Sequence, residues 1–205
     1  MVGIPRLMHP SQRPYSPEEP IALRKIIAVF GSSQPRPGSV HYEEARRVGR
    51  ALAEAGWQVV TGGYRGVMEA ASLGAREGGG TTIGVTTSFF AEKNLMPNPY
   101  VDEEILMPSY AGRLLKLVEI SDGYVVMSGG SGTLSELFVC WELEKNGSIP
   151  AKPLVLFGDQ WTRIMDFLAE TLKDERSFSS YRHLLHFCSD TEHLVRIIRD
   201  RLTAD

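Results

Sequence analysis

The sequence predicts an α/β fold: one doubly wound domain, a parallel sheet with helices on both faces. Three observations predict it. Short, continuous apolar runs alternate with stretches of helical period, which is the signature of parallel strands joined by crossover helices. The runs end at glycine or hydroxyl residues, as buried strands do where they enter ligand-facing loops. The chain has 205 residues, 42% hydrophobic and 23% charged, enough to bury a core without disulfide or metal staples.

The elements follow in order. Residues 1–23 hold Pro5, Pro10, Pro14, Pro17 and Pro20, which block helix and weaken any strand, so they are expected to form an extended arm preceding a domain of residues 24–205. Ile26-Ile27-Ala28-Val29-Phe30 reads as a strand buried on both faces. About residues 40–55 carry Ala45, Val48, Leu52 and Ala55 on one stripe, and Gly56 stops that helix. Gln58-Val59-Val60 is a strand, and a helix rich in small residues runs over about 66–76. Thr82-Ile83-Gly84-Val85 is the next strand, followed by a loop-rich excursion broken by Pro97, Pro99 and Pro108. Then come a helix over 113–120, a strand over 123–127, a helix over 133–145, a strand over 154–157, a helix over 161–172 and a short strand over 184–187. A closing helix begins at Ser189-Asp190-Thr191-Glu192, which has capping-box spacing.

Composition narrows the function. Net charge is 22 − 25 = −3, which supplies no basic field for general nucleic-acid binding. No apolar run approaches the ~20 residues of a membrane span, and the proline-rich start lacks the apolar heart of a signal peptide. Two cysteines, Cys140 and Cys188, form no disulfide framework, and a reducing cytoplasm is the expected setting. His183, His186, Cys188 and His193 cluster near the C-terminus but lack a Cys-x-x-Cys partner, so no metal is expected there.

Chemistry is expected where strands end, because backbone amides and helix N-termini meet anions there. Three loops qualify. The first is Phe30-Gly31-Ser32-Ser33, in which glycine allows close approach and two hydroxyls can donate to phosphate or ribose. The second runs from Thr61 through Gly62, Gly63, Tyr64, Arg65 and Gly66 to Met68; its glycines serve either a ligand or the packing of a small-residue helix. The third is Ser128-Gly129-Gly130-Ser131-Gly132-Thr133-Leu134-Ser135-Glu136, a glycine-rich turn entering a helix and therefore suited to phosphate. It lacks the Gly-Lys pair of a P-loop, and the dinucleotide fingerprint fails at Ser135. Glu136 stands three residues after Thr133, so two readings stay open: a carboxylate capping a backbone amide, or one facing a ligand. Arg113 is open in the same way, between a solvated surface and a site. Leu137, Phe138, Cys140 and Trp141 follow on the same helix and read as core or as a subunit interface.

Taken together, the three loops resemble those of the LONELY GUY (LOG) family, whose members often carry a lysine-decarboxylase label, and of the related molybdenum-cofactor carrier proteins. The resemblance covers about residues 25–157. Gly31-Ser32-Ser33 is similar to the family's Gly-Ser-Ser turn, Thr61 to Met68 to its Gly-Gly-Gly-x-x-Gly-Leu-Met loop with Thr61 at the first glycine, and Gly129 to Glu136 to its Pro-Gly-Gly-x-Gly-Thr-x-x-Glu signature with Ser128 at the proline. The resemblance implies a Rossmann-like nucleotide-binding domain and hydrolysis of the N-glycosidic bond of a purine nucleoside 5′-monophosphate, cytokinin-type or AMP-like. The products would be free base and ribose 5-phosphate. It implies Arg113, nine residues before Asp122, and Glu136 as the catalytic pair. It assigns Gly31, Ser32, Ser33, Gly62, Gly63, Gly66, Met68, Gly129, Gly130, Ser131, Gly132 and Thr133 to the nucleotide. It implies no cofactor and a homodimer or higher homo-oligomer.

The chain departs from the family where Met-His-x-Arg-Lys is usual: here Tyr110-Ala111-Gly112-Arg113-Leu114 stands. Val67-Met68-Glu69-Ala70-Ala71 and Asn98-Pro99-Tyr100-Val101 are closer to the carrier branch, so a non-catalytic nucleotide or molybdenum-cofactor carrier is the alternative. The decarboxylase label finds no support, because no lysine lies in the three loops to form a Schiff base.

Overall fold

The protein is described from a computed structural model covering residues 24–175, 178 and 180–203. The proline-rich arm over 1–23 lies outside these residues.

Seven parallel strands form one sheet in the order β4-β3-β2-β1-β5-β6-β7. They are β1 (Ile26–Phe30), β2 (Gln58–Thr61), β3 (Thr82–Thr87), β4 (Glu103–Met107), β5 (Gly123–Val126), β6 (Leu154–Phe157) and β7 (Leu185–Cys188). The apolar runs are continuous because both faces are covered. Ile27 and Val29 pack beneath α1 (Val40–Glu54), α2 (Val67–Glu77) and α7 (Thr191–Leu202). Ala28 and Phe30 face the opposite core with α4 (Tyr110–Ile120), α5 (Ser131–Lys145) and α6 (Gln160–Thr171). Leu156 lies fully buried in this second core. Leu156→Ala is expected to cost about 2–5 kcal/mol, read as a lower urea midpoint at unchanged slope.

The strand order reverses between β1 and β5, which lie side by side in register from Ile27 opposite Gly123 to Phe30 opposite Val126. Asp122 sets that register from below: its carboxylate accepts from the Ile26 amide at 2.8 Å and pairs with Lys25 at 3.0 Å. Such a reversal opens a crevice at the carboxyl ends of the two strands.

Three expectations need correction. The excursion after β3 is not only loop: it holds a short helix, α3 (Ser88–Ala91), and the edge strand β4. β4 pairs on one side only, with β3, so its run Glu-Glu-Ile-Leu-Met needs no continuous apolar character. α4 begins at Tyr110, three residues early, because the Ser109 hydroxyl accepts from the Gly112 amide. α7 is capped by Asp190 rather than Ser189, with the Asp190 carboxylate accepting from the His193 amide at 2.7 Å.

Candidate active site

The three loops meet at one edge of the sheet, and backbone bonds hold them together. The Ser32 amide donates to the Ser128 carbonyl at 3.0 Å, and the Val67 amide donates to the Ser32 carbonyl at 2.8 Å. Loop one therefore bridges the other two. Gly66 has φ +72°, and a β-carbon there would strike the Ser32 carbonyl, so both conformation and space demand glycine. The second loop is pinned further by Asn98, buried in the excursion, whose amide donates to the Gly63 and Tyr64 carbonyls at 3.1 and 2.9 Å.

A cleft of about 590 Å³ opens where the strand order reverses, lined by Ser32, Gln34, Arg36, His41, Ser128 and Gly129 among others. The first turn of α5 begins at its wall. The helix N-cap is Gly130, which offers no side-chain oxygen, so the amides of Ser131, Gly132 and Thr133 keep their capacity to meet an anion. Thr133 is itself buried and packs on Gly129.

The N-cap position removes the capping reading of Glu136. Thr133 lies inside the helix, so it and Glu136 form no capping box. Glu136 is 8% exposed, and its carboxylate faces the Arg113 guanidinium at 3.8 Å. Arg113 is 4% exposed, not a surface residue. Its Nε donates to the Val85 carbonyl of β3 at 2.8 Å, and its Nη2 lies 3.8 Å from the Met68 sulfur. The space it fills belongs to Gly62, where a β-carbon would collide with the guanidinium. Thus Gly62 makes room for the arginine and Met68 packs against it, rather than serving only as loop residues.

The electrostatics follow from burial. Desolvation pushes the Glu136 carboxyl up to about 7, and the nearby Arg113 charge pulls in the other direction. A carboxyl of that kind titrates near neutrality and can act as acid or base.

The cleft and the Arg113–Glu136 pair are separate parts of the edge. Neither residue lines the cleft, whose lining includes Ser128 and Gly129 of loop three. Ser32 and Gly129 line the cleft, Gly31 packs against Val67, Gly130 caps α5, Gly62 and Met68 lie by the pair, and Gly132 faces α4. Ser33 sits in loop one beside Gln34, on the exposed rim. Gly63 is turned against Thr86 and Gly84 and serves the loop's shape.

Sequence reasoning missed Tyr64 and Tyr110, whose rings lie 5.7 and 5.9 Å from the Arg113 guanidinium carbon. Elsewhere, His183 and His186 line a small cavity of about 70 Å³ with Glu144, Lys152 and Arg201. Among the described residues no three His, Cys, Asp or Glu side chains gather as metal ligands. Leu137, Cys140 and Trp141 are core, whereas Phe138 is half exposed. No described helix is long and apolar enough to cross a membrane.

The SLOG cluster4 family matches residues 24–177, three quarters of the chain. The chain belongs to this family. It is 34% identical over 136 residues to the cytokinin riboside 5′-monophosphate phosphoribohydrolase of Mycobacterium tuberculosis, covering 66% of this chain and 71% of that enzyme. A protein of the same name from Rhodococcoides fascians is 25% identical over 178 residues, covering 85% and 89%. Among solved structures, the molybdenum cofactor binding protein of Rippkaea orientalis superposes with a TM-score of 0.68 at 28% identity, covering 88% and 98%. The SLOG membership and these likenesses agree with the fold class and the LOG resemblance read from the loops.

Proposed function

We propose that this SLOG protein is a phosphoribohydrolase that cleaves the N-glycosidic bond of a purine nucleoside 5′-monophosphate, AMP-like or cytokinin-type. The observation that carries this reading is the buried Arg113–Glu136 pair beside an uncapped helix N-terminus. The 5′-phosphate sits on the first turn of α5, within reach of the amides from Ser131 to Thr133. Arg113, fixed by the Val85 carbonyl and the aromatic rings, holds an oxygen of the sugar or phosphate and keeps the sugar in place. Departure of the base builds positive charge at the ribose C1′, which the Glu136 carboxylate stabilises while orienting water. The water oxygen bonds to C1′ as the C–N bond breaks, and the released proton ends on the base nitrogen. The names of the two phosphoribohydrolase relatives support the substrate class.

The protein is expected to act as a homodimer in the cytoplasm. Exposed Leu115, Phe138, Ile164 and Phe167, on the helices of one face, support self-association.

The test is incubation with AMP and with a cytokinin riboside 5′-monophosphate, followed by chromatography of the free base. The required form of Glu136 is the carboxylate. Base release per bound substrate is therefore expected to fall about tenfold for each pH unit below about 7 and to level off above it. Bound nucleotide without release of base at any pH would favour the second reading, a nucleotide or molybdenum-cofactor carrier. The likeness to the Rippkaea orientalis protein and the stretch Tyr110-Ala111-Gly112-Arg113-Leu114 are what favour that reading.

A further inference from the structure

Tyr110 stands three residues before Arg113 on α4, and Gly132 stands four residues before Glu136 on α5. Each spacing is one helical turn on one face, so the two helices face each other in two rungs. One rung is the Arg113–Glu136 pair. In the other, a β-carbon at Gly132 would stand 3.3 Å from the Tyr110 hydroxyl.

The Tyr110 ring is held on two sides. It packs edge-on against Phe90, with centroids 6.1 Å apart at 84°, and the Arg113 guanidinium carbon lies 5.9 Å from its centroid. Tyr64, the other ring on Arg113, has its hydroxyl engaged, accepting from the Thr87 amide at 3.0 Å. The Tyr110 hydroxyl makes no hydrogen bond among the described residues, and the residue is 41% exposed. An anchored ring thus presents a free O–H to the turn of α5 that lacks a side-chain cap.

We propose that Tyr110 is a substrate-contacting residue whose phenol donates a hydrogen bond to an oxygen of the 5′-phosphate on α5. This rests on the phosphate position given under the proposed function. A phosphate dianion accepts only and a phenol can donate, so a phosphate oxygen turned toward α4 would accept from Tyr110. The contact would fix the phosphate one turn from Glu136 and so set the distance from phosphate to the bond that breaks.

The test is calorimetric titration of the full chain and of Tyr110→Phe with ribose 5-phosphate and with adenosine. Tyr110→Phe keeps the ring, so its melting temperature is expected to match the parent. Its affinity for ribose 5-phosphate is expected to fall about tenfold, the usual scale for one bond to a charged group, and its affinity for adenosine to stay unchanged. Equal ribose 5-phosphate binding by both proteins would overturn the proposal, as would an equal loss for adenosine. A parent protein that binds no ribose 5-phosphate would overturn it as well. Base release from AMP, measured in parallel, separates the two ideas: bound but uncleaved AMP ends the hydrolase reading and leaves the Tyr110 comparison readable.

Discussion

Glu136→Gln is expected to lower base release by about 10³-fold while leaving ribose 5-phosphate binding nearly intact. The substitution preserves shape and removes the charge that the reaction needs opposite C1′. The proposed phosphate contacts lie one turn earlier on α5, at the backbone amides of its first turn. The fold should hold, because Glu136 caps no helix and makes no hydrogen bond that the core depends on. Arg113 keeps its Val85 bond and its two aromatic neighbours when its partner becomes neutral. Stability even improves at high pH. A carboxyl raised from 4.5 to about 7 by folding costs stability as pH rises through that window, and glutamine has no such cost. Chromatography of the base, calorimetry with ribose 5-phosphate and a melting curve at pH 8 decide the matter together. Full turnover in the variant would remove Glu136 from the reaction, and an unfolded variant would make it a structural residue.

The sequence made most of the sheet legible, for a physical reason. Strands such as Ile26–Phe30 and Leu154–Phe157 are apolar throughout because each packs between two helix layers. β4 escaped detection because an edge strand with exposed Glu103 and Glu104 need not be apolar. The start of α4 was misplaced because a hydroxyl cap three residues before Gly112 outweighs the low helix propensity of glycine. The meeting of the glycine loops at one edge was legible, since each follows a strand of one parallel sheet, but the packing uses of Gly62, Gly63 and Gly66 were not. The burial of Arg113 was not. Arginine belongs to solvent on average, and what buries this one is dispersed along the chain: the missing side chain of Gly62, the Val85 carbonyl, and the rings of Tyr64 and Tyr110. Tyr110 left one usable signal, an aromatic residue one turn from Arg113 on the same helical face.

Arg113→Gln is expected to lower base release by about 10²-fold or more and to move the acid limb of the pH profile upward. Both effects come from the same 3.8 Å pair. Burial raises the Glu136 carboxyl, and Arg113 is the charge that pulls it back. With a neutral glutamine the desolvation stands unopposed, so the carboxylate forms only at higher pH than in the parent, and the plateau of activity shifts with it. The stability consequence has a definite sign. At pH 5 the carboxyl in the folded protein is protonated in both proteins, so they differ little on this account. As pH rises, the unfolded chain ionises Glu136 near 4.5 while the variant's folded state holds its proton longer, so the variant loses more stability between pH 5 and 8 than the parent. Melting curves at the two pH values read that difference directly. Arg113→Lys separates charge from geometry: the ammonium still lowers the Glu136 carboxyl and restores the limb. It has no planar fork to donate to Val85 and reach the substrate at once, so the rate stays low. A lysine variant with full activity would reduce the role of Arg113 to its charge. A glutamine variant whose acid limb does not move would break the link between the pair and the chemistry.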